Sequence, residues 1–359
     1  MEFLNSLLSR QPASLMGVDI SASSIKVVEL GRTRTGDLIL ERCAMEPLEK
    51  GWVVDGNVEK FDEVADALRR VIRKSGSKTK SAALALPASA VITRRILLPA
   101  ELSGDEMETQ VESEANQYIP FSLDEVSLDY CVIGPSLSSP SDVEVLIAAS
   151  RKEKVQDRQG LAEAAGLKPI IIDIESYASR LAADRLIKLT PSAGKDALIA
   201  LVEIGSATTA MQVVLNGDVV YERDQAFGGG QLSQMIARQY GFSVEEAESK
   251  KRNNDLPEDY EMVVLPQFRL NLAQEIMRAL QFFFTSTPNS KVDNILLAGG
   301  AAGILGLSEE IHEQSGFACS VANPFEGMDI SANLRANKIN KESTSYLTAT
   351  GLALRRYLA

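Results

Sequence analysis

The sequence contains two related segments, and this internal duplication limits the possible folds more than any other feature. In the first segment an apolar strand ends at Asp19, and a small polar turn leads into a second apolar strand at residues 25–30. The second segment repeats this order around Glu203, with its second strand at residues 211–215. The two acids lie 184 residues apart in the chain (203 − 19). Two copies at this distance predict two similar αβ lobes.

Each copy continues into a further strand through a Gly-Asp turn. The two turns are Gly36-Asp37 and Gly217-Asp218, and both are followed by three apolar residues, a Glu and an Arg. Gly and Asp favour β-hairpins because they tolerate the backbone conformations that tight turns require. The duplicated unit therefore extends over three consecutive strands.

The turn between the first two strands of each copy is suited to phosphate binding. Small residues let successive backbone N–H groups surround an anion, and hydroxyl groups add further donors. The hydroxyl groups at these turns belong to Ser21, Ser23, Ser24, Thr208 and Thr209. Two such turns facing each other would clamp the β- and γ-phosphates of a nucleotide between the lobes.

The acids that precede the turns predict a metal site. Asp19 and Glu203 stand at the ends of their strands. Mg²⁺ prefers carboxylates and retains several waters, so we expect both residues to hold a hydrated ion through its waters.

Three further motifs of small residues follow in the second half of the chain. Gly228-Gly229-Gly230 precedes a predicted helix near Gln231, and a glycine-rich helix N-terminus favours anions. Gly299-Gly300-Ala301 follows an apolar strand, where the glycines would let a nucleobase or ribose approach the backbone. A last helix of small residues near 349–353 would permit close packing between the lobes.

In this order the motifs resemble the five signatures of the superfamily that contains actin, sugar kinases and heat-shock chaperone ATPases. The matching segments cover nearly the whole chain: phosphate-1 at 17–26, a connecting helix from 173, phosphate-2 at 202–209, adenosine at 296–302 and a second connecting helix from 349. The resemblance implies an actin-like α/β fold of two ribonuclease-H-like lobes, with ATP or ADP and Mg²⁺ between them. The nucleotide-binding residues that it implies are Asp19, Ser21, Ser23, Ser24, Lys26, Gly205, Thr208, Thr209, Gly228, Gly229, Gly230, Glu248, Lys251, Gly299, Gly300 and Ala301.

Finer features resemble the branch that contains FtsA and PilM. Ala247-Glu248 with Lys251 is similar to an FtsA segment whose Glu and Lys contact the nucleoside. Residues 81–166 read strand, strand, helix, strand, strand, helix, an order similar to the 1C subdomain of these proteins. The divisions that this implies are an N-terminal segment at 1–12, subdomain 1A at 13–80, 167–195 and 345–359, subdomain 1C at 81–166, subdomain 2A at 196–235 and 290–344, and subdomain 2B at 236–289.

Three longer stretches resemble the PilM family in particular. They occupy residues 114–126, 166–178 and 272–284. The resemblance implies a cytoplasmic platform of type IV pilus assembly, held at the inner membrane by its partners, that binds the N-terminal cytoplasmic peptide of PilN in a groove between subdomains 1A and 1C. We expect Tyr118, Ile119, Pro120 and Phe121 to lie near this groove, the alternative being that they are core residues of 1C. Nucleotide would close the lobes and change the affinity of the groove.

Composition argues against several other functions. The net charge of −12 disfavours general binding to nucleic acid or to an anionic bilayer. The single histidine, His312, disfavours a Ser-His-Asp triad, and the three scattered cysteines form no zinc or disulfide pattern. No stretch has the roughly 20 consecutive apolar residues of a membrane span. Residues 1–10 read as a short helix with one apolar face.

Alternatives remain open at this point. Glu203 replaces the Asp found in many superfamily members, so hydrolysis of ATP is expected to be slow or absent. The printed sequence ends at Ala359 without the amphipathic membrane helix of FtsA, so membrane recruitment is expected to depend on a partner. An FtsA-like filament protein and, with less support, a sugar kinase are the other readings. The apolar stripe of the predicted helix 267–284 serves either the core or self-association.

Overall fold

The structure is a computed structural model that describes residues 14–136 and 138–358. The predicted N-terminal helix at 1–10 lies outside these residues. Within the described residues, no helix combines the length and the hydropathy needed to cross a membrane.

The strands belong mainly to three sheets. Their bounds are β1 (Met16–Ile20), β2 (Ser24–Arg32), β3 (Leu38–Pro47), β4 (Val53–Val54), β5 (Asn57–Val58), β6 (Ser81–Leu86), β7 (Val91–Pro99), β8 (Val126–Pro135), β9 (Asp142–Arg151), β10 (Lys168–Ile174), β11 (Leu198–Ile204), β12 (Thr209–Leu215), β13 (Asp218–Gln225), β14 (Asn294–Ala298), β15 (Cys319–Val321) and β16 (Asp329–Ile330).

Most of the helices pack on the two larger sheets, and α2 packs on the small one. Their bounds are α1 (Phe61–Ser75), α2 (Gly104–Tyr118), α3 (Lys152–Ala164), α4 (Glu175–Leu189), α5 (Gly229–Tyr240), α6 (Val244–Asn253), α7 (Tyr260–Val263), α8 (Leu265–Ser286), α9 (Leu307–Ser315), α10 (Ala336–Glu342) and α11 (Leu347–Leu354).

The predicted duplication is confirmed by the order of the strands. The first sheet runs β10-β6-β1-β2-β3-β16 and the second runs β15-β14-β11-β12-β13. The first five strands of both sheets thus have the same order and connection. The register repeats as well, because Asp19 lies opposite Lys26 in one lobe and Glu203 lies opposite Ala210 in the other. Glu203 and Ala210 each lie 184 residues after Asp19 and Lys26, respectively, which is the offset found in the sequence.

Local sequence signals explain where several elements begin and end. Ser103 and Glu106 form a capping box at the start of α2, in which the Ser103 backbone N–H donates to the Glu106 carboxylate at 2.9 Å. Gly76 ends α1 in the left-handed conformation with φ of 67°, which favours glycine. The predicted helix at 267–284 is α8, and its apolar stripe is buried in the core of the second lobe.

The insertion forms a separate small sheet with the order β7-β9-β8, covered on one face by α2. In contrast, β6 pairs with β1 and β10, and α3 packs into the core of the first lobe through Leu161 and Ala162. The subdomain boundaries at 81 and 166 stay a prediction, and these contacts favour a narrower insertion at 88–151.

Two helices, α4 and α11, lie between the two large sheets and pack against both. Their apolar side chains form one core with residues of both lobes, among them Leu30 from β2 and Leu201 from β11. These are the two connecting helices that the sequence predicts. Any movement of one lobe relative to the other must therefore act through this helix pair.

The helix α11 approaches its neighbours so closely that two glycines are required. A Cβ atom on Gly351 would lie 1.7 Å from the carbonyl oxygen of Ala178 in α4. A Cβ atom on Gly17 in β1 would lie 2.1 Å from the carbonyl oxygen of Ala349. Backbone atoms cannot yield as flexible side chains do, so these contacts set the distance between the helices and the first sheet.

Gly351→Ala is expected to destabilise the protein by about 2 kcal/mol or more, because the added methyl group overpacks a rigid contact. Gly160→Ala is the matched control, since Gly160 also lies within a helix but a Cβ there would be 3.7 Å from Phe61. The control should be neutral or more stable by about 0.5–1 kcal/mol, because Ala favours helix. Denaturant unfolding measures both, and equal stability of the two variants would contradict the proposed role of Gly351.

Candidate functional site

The two duplicated turns have the same backbone geometry at the entrance to the cleft between the lobes. The N–H of Ser21 donates to the carbonyl of Ser24 at 3.0 Å, and the N–H of Gly205 donates to the carbonyl of Thr208 at 2.9 Å. Within the described residues, the N–H groups of Ser206, Ala207 and Thr208 meet no protein acceptor. The second turn therefore presents free donors at its tip, as a phosphate-binding nest requires.

Lys26 organises the first turn. Its Nζ lies 2.8 Å from Asp19 Oδ2 and 2.9 Å from Ser21 Oγ, and the Ser21 hydroxyl donates to the carbonyl of Ser24 at 2.9 Å. Lys26 and Asp19 are each only 7% exposed. Removing either partner would leave a buried charge unpaired, which is strongly destabilising. The ion pair thus holds the Asp19 carboxylate in place at the strand end.

Glu203 connects the second turn to both connecting helices. The Thr348 hydroxyl of the α11 segment donates to Glu203 Oε1 at 2.9 Å, and the hydroxyls of Thr348 and Ser179 lie 2.9 Å apart. Burial raises the pKa of Glu203, and the Ser179 hydroxyl opposes this effect. The position of the Glu203 carboxylate is therefore fixed by the packing of the two helices, whereas the position of the Asp19 carboxylate is fixed by an ion pair.

Glu175, the first residue of α4, is a further buried acid near Asp19 and Glu203. Burial, together with the negative charge of Asp19, raises its pKa to about 8. Glu175 therefore carries a proton at neutral pH. By contrast, Asp173 accepts a bond of 2.9 Å from Arg355, which holds it at the end of α11.

Arg158 lies behind these acids and is 2% exposed. Its guanidinium donates to the carbonyl of Ala85 at 3.1 Å and to the carbonyl of Gly56 at 2.7 Å. Burial lowers the pKa of Arg158, and the negative charges of Glu175 and Asp19 oppose this effect. Arg158 thus ties the end of β6 to the β4–β5 turn and places a positive charge near the acids.

The glycine motifs of the second lobe meet in one place. Gly299 has φ of +91°, and a Cβ on it would lie 2.4 Å from the carbonyl oxygen of Ile204. The N–H groups of Gly229 and Gly230 donate to the carbonyls of Gly205 and Ser206 at 2.8 Å each. The start of α5 is therefore bonded to the phosphate-2 turn, so its amides are not available to an anion in this conformation.

The pair predicted to contact the nucleoside lies beside this glycine junction. Lys251 Nζ lies 2.6 Å from Glu248 Oε2, 2.8 Å from Ser233 Oγ and 3.5 Å from the carbonyl of Gly229. Burial raises the pKa of Glu248, but the interactions with Lys251 and Ser233 lower it by a larger amount, so the net shift is downward. The α6 pair and the start of α5 thus form one connected polar group.

Asp19 and Glu203 are the two carboxylates that the sequence predicts for a hydrated magnesium ion. Among the described residues, no group of three or more His, Cys, Asp or Glu side chains is arranged to hold a metal. The negative charges of Asp19 and Glu203 both raise the pKa of Glu175, so the three carboxyl groups lie near one another. Carboxylates in this arrangement suit an ion that keeps its waters.

The segment expected near a partner groove divides between surface and core. Ile119 is 8% exposed and belongs to the core of the insertion. Tyr118 and Phe121 lie under the guanidinium groups of Arg94 and Arg151, with 4.7 and 4.0 Å between each guanidinium carbon and the ring centroid. Ile119 is therefore a core residue of the insertion, which was the alternative to a position near the groove.

A cleft of about 360 Å³ lies between the insertion, the start of α4 and the edge strand β13. The cleft residues are Ala88, Ser89, Val91, Thr93, Ile174, Ser176, Tyr177, Glu222, Arg223 and Asp224. Side chains alternate across a strand, so Val91 and Thr93 face the cleft whereas Arg94 and its partner Tyr118 lie on the opposite face of the small sheet. The structure therefore does not bring Tyr118 to this cleft.

Two arginines, one from β7 and one from α4, hold the second-copy hairpin at one end of this cleft. Arg95 Nη2 lies 3.0 Å from Asp218 Oδ1, and Arg180 Nη1 lies 3.3 Å from the carbonyl of Gly217. The Gly-Asp turn that identified the duplication is thus also a contact between the lobes.

Two lobes of the same strand order, with connecting helices between them and paired turns at their cleft, define an actin-like fold. The chain belongs to the PilM family, because the family model described as type IV pilus assembly protein PilM matches residues 17–357. The resemblance read from the sequence is confirmed.

Solved structures agree with this assignment. The chain is similar to one in a structure described as a PilM–PilN type IV pilus biogenesis complex, with 25% identity and a TM-score of 0.79 over 96% of this chain and 99% of that chain. It is also similar to the ethanolamine utilization protein EutJ from Carboxydothermus hydrogenoformans, with 18% identity and a TM-score of 0.58 over 98% of this chain and 96% of that one. The second likeness shows the fold alone.

A curated relative matches over a shorter length. EutJ of Escherichia coli strain K12 is 30% identical over 114 residues, which are 32% of this chain and 37% of that protein. The match therefore spans little more than a third of the length of this relative.

Sequence reasoning missed several residues of the site. Arg158 lies within a helix rich in charged residues, and Ser179 and Thr348 lie within helices that contain many small residues, so none carries a motif. Glu222 and Asp224, which line the cleft beside β13, could have been noticed in the sequence. They belong to a run of charged residues at 222–224 in a strand that lies at the edge of its sheet among the described strands. Charges along an edge strand are common, so that signal does not indicate a site.

The raised pKa of Glu175 predicts how stability depends on pH. The pKa is about 8 in the folded protein against 4.5 for the ordinary group, so the folded protein binds more protons and its stability falls as pH rises through this window. Glu175→Gln removes the titration and should gain on the order of 2–4 kcal/mol relative to the natural protein between pH 5 and 8.5. Glu163→Gln, on the exposed face of α3, is the control. Parallel stability curves for Glu175→Gln and the natural protein would contradict this.

Proposed function

We propose that this protein is a nucleotide-binding docking platform of type IV pilus assembly that captures the N-terminal cytoplasmic peptide of a PilN. Its place in the cell would be the cytoplasmic face of the inner membrane, through that partner. Membership of the PilM family and similarity to a chain of a PilM–PilN complex over 96% of its length support this role.

The observation that carries the proposal is the cleft of about 360 Å³ at the base of the insertion. We call it the peptide cleft, to distinguish it from the nucleotide cleft between the two phosphate turns. One wall is the edge of β7 and another is the edge of β13. Among the described strands, β7 pairs only with β9 and β13 pairs only with β12. An extended peptide can use backbone hydrogen bonds at such edges, while pockets read its side chains. Val91, Ile174 and Tyr177 supply apolar and aromatic surface.

The segment at 118–121 is retained as a second location for the partner. Tyr118 is 43% exposed and stacked on Arg94, and Phe121 is stacked on Arg151 close to the junction with α3. The two locations lie on opposite faces of the small sheet, so substitutions can separate them.

The cleft between the two phosphate turns would hold ATP or ADP. The free amides at 206–208 would contact phosphates, Asp19 and Glu203 would hold Mg²⁺ through water, and Lys251 would face the nucleoside. The bound ion supplies charge neutralisation for the phosphates.

The start of α4 offers a physical route for coupling between nucleotide and peptide. Glu175 faces the acids of the nucleotide cleft, while the next two residues, Ser176 and Tyr177, line the peptide cleft. A shift of this helix end would alter both sites together. Binding effects of this kind are reciprocal, so nucleotide and peptide must change each other's affinity by the same factor.

Nucleotide binding is tested with a matched pair of neighbouring lysines. Lys251→Ala is expected to weaken ATP binding about tenfold, because Lys251 lies beside Glu248, Ser233 and Gly229 in the cleft. Lys250→Ala removes the same charge where it pairs with Asp255 at 3.1 Å, and should change little. Titration calorimetry with Mg-ATP measures both, and equal effects would argue against this polar group as the nucleoside site.

Peptide binding is tested with a peptide that copies the cytoplasmic N-terminus of the PilN from the same genome. Thr93→Arg fills the cleft and should weaken binding at least tenfold, whereas Thr109→Arg, on the exposed face of α2, should have no effect. Tyr118→Ala tests the second location. Loss of binding in Tyr118→Ala alone would move the site to 118–121, and absence of binding by the natural protein would refute the proposed function.

The same titrations with Mg-ATP, with Mg-ADP and without nucleotide test the coupling. We expect at least a fivefold difference in peptide affinity between two of these states. Equal affinity in all three would refute the coupling and leave peptide capture intact.

A further inference from the structure

The acidic chain contains one strongly basic stretch. Residues 67–80 contain six Lys or Arg and no Asp or Glu, although the whole chain carries a net charge of −12. This stretch covers the second half of α1 and the loop that leads to β6. A run of one sign creates a local potential that the net charge of the molecule does not reveal.

The loop between α1 and β6 is fixed at the end of the first sheet where β1 begins. Glu29 lies opposite the first residue of β1 and accepts hydrogen bonds from the hydroxyl of Ser77, at 2.6 Å, and from the hydroxyl of Thr79. Alternate residues of the loop therefore face the sheet, whereas the intervening Lys78 and the following Lys80 are exposed. The loop thus presents two lysines to solvent while its hydroxyl groups hold it in place.

A second strand and a helix end add to this basic surface. β10 runs parallel to β6, and the N–H of Lys168 at its start donates to the carbonyl of Lys80 at 2.7 Å. Arg73 lies in the last turn of α1, three residues before the loop. Asp19 and the nucleotide cleft lie at the opposite end of the strands. We call the surface formed by Arg73, Lys78, Lys80 and Lys168 the basic edge.

The four cations of the basic edge have no carboxylate partner. All four are exposed, and within the described residues none of their side chains has a hydrogen bond or an ion pair. In contrast, the preceding Arg70 pairs with Glu46 at 2.7 Å. Two acids of neighbouring elements, Glu29, which is 6% exposed, and Glu163 near the end of α3, offset only part of the four charges. The basic edge therefore keeps a positive charge that is available to an anionic ligand.

Apolar residues occur at the same end of the sheet. Ile170 lies two residues after Lys168, at a register irregularity of β10, and is 54% exposed. β1 and β6 begin side by side, so residues 1–13, which lie outside the described residues, join the protein here. Their sequence includes four large apolar residues, namely Phe3, Leu4, Leu7 and Leu8. The basic edge is thus adjacent to the attachment point of an apolar sequence.

These features fit a membrane surface better than another polyanion. Anionic headgroups attract clustered basic residues, and apolar side chains beside them can enter the boundary with the acyl chains. A nucleic acid would meet the negative charge of the remaining chain and would make no use of the apolar residues. An acidic protein favours the bidentate contacts of arginine, whereas three of the four cations here are lysines.

We propose that the basic edge binds the anionic lipid headgroups of a membrane directly. This contact is additional to peptide capture and does not depend on it. A few cations give only weak and reversible attachment, but two weak contacts on one molecule strengthen each other by raising the effective concentration. The contact would also orient the protein with its nucleotide cleft away from the membrane, because that cleft lies at the other end of the strands.

Binding to vesicles in the absence of any partner tests the proposal. We expect the natural protein to sediment with vesicles of phosphatidylglycerol and phosphatidylcholine in equal parts, and not with vesicles of phosphatidylcholine alone. Binding should weaken about tenfold between about 50 and 300 mM salt, because salt screens exposed charges. Absence of binding to the anionic vesicles at low salt would overturn the proposal and leave PilN capture untouched.

Matched double variants locate the contact on the molecule. Lys78→Gln/Lys80→Gln should weaken binding to the anionic vesicles at least tenfold, since each cation near the surface contributes about fivefold. Lys168→Gln, on a different element, should weaken it about fivefold. Lys50→Gln/Lys60→Gln is the control for the double variant, because these exposed lysines follow β3 and precede α1, away from the basic edge. The control should stay within twofold, and equal loss in both double variants would overturn the basic edge as the contact.

Two soluble polyanions separate lipid from the other classes of partner. A fluorescent single-stranded oligonucleotide and polyglutamate are titrated into the natural protein and into Lys78→Gln/Lys80→Gln. We expect both to bind the natural protein more weakly than the anionic vesicles do. Tighter binding of either polyanion, lost in the double variant, would refute the lipid contact and assign the basic edge to a nucleic acid or an acidic protein.

Discussion

The close contact of α11 with α4 and β1 is the constraint on which the rest of the structure depends. Gly351 lets the two connecting helices cross at backbone distance, and Gly17 lets the first sheet approach α11 in the same way. Through this packing Thr348 and Ser179 meet and hold Glu203 at the cleft. A looser helix pair would separate the two phosphate turns, so the geometry of the nucleotide cleft follows from a steric condition within the core.

The duplication produced two lobes of the same topology that now have different tasks. The first copy holds its acid with a buried lysine, whereas the second holds its acid with two hydroxyl groups. The hairpin of the second copy is held by Arg95 and Arg180, and its last strand forms a wall of the peptide cleft. Similar backbones thus carry different side-chain chemistry in the two lobes.

The helix end at Glu175 lies between the two proposed sites and explains why they would communicate. Consecutive residues of a helix point in different directions, so one turn of α4 can face a nucleotide on one side and a peptide on the other. Burial and the negative charge of Asp19 raise the pKa of Glu175 to about 8, so Glu175 holds a proton at higher pH than an ordinary glutamate. A cation bound between the phosphate turns would lower the pKa of Glu175. The ionised Glu175 carboxylate would then attract the guanidinium of Arg158 behind it. The electrostatic state of this helix end therefore depends on what the cleft contains.

The sequence by itself determined the duplication, the strand order that follows from it, the position of α8 and the PilM resemblance. These depend on local patterns, namely alternating apolar residues, turn residues and small-residue motifs at fixed spacing, and the observed register repeats the spacing of Asp19 and Glu203. Only the tertiary structure decided that Ile119 is a core residue, that the amides of Gly229 and Gly230 are bonded to the phosphate-2 turn, and that Thr93 and Glu222 face the same cleft. The physical reason is that these features depend on which faces of distant elements pack together, and no local pattern of residues specifies that packing.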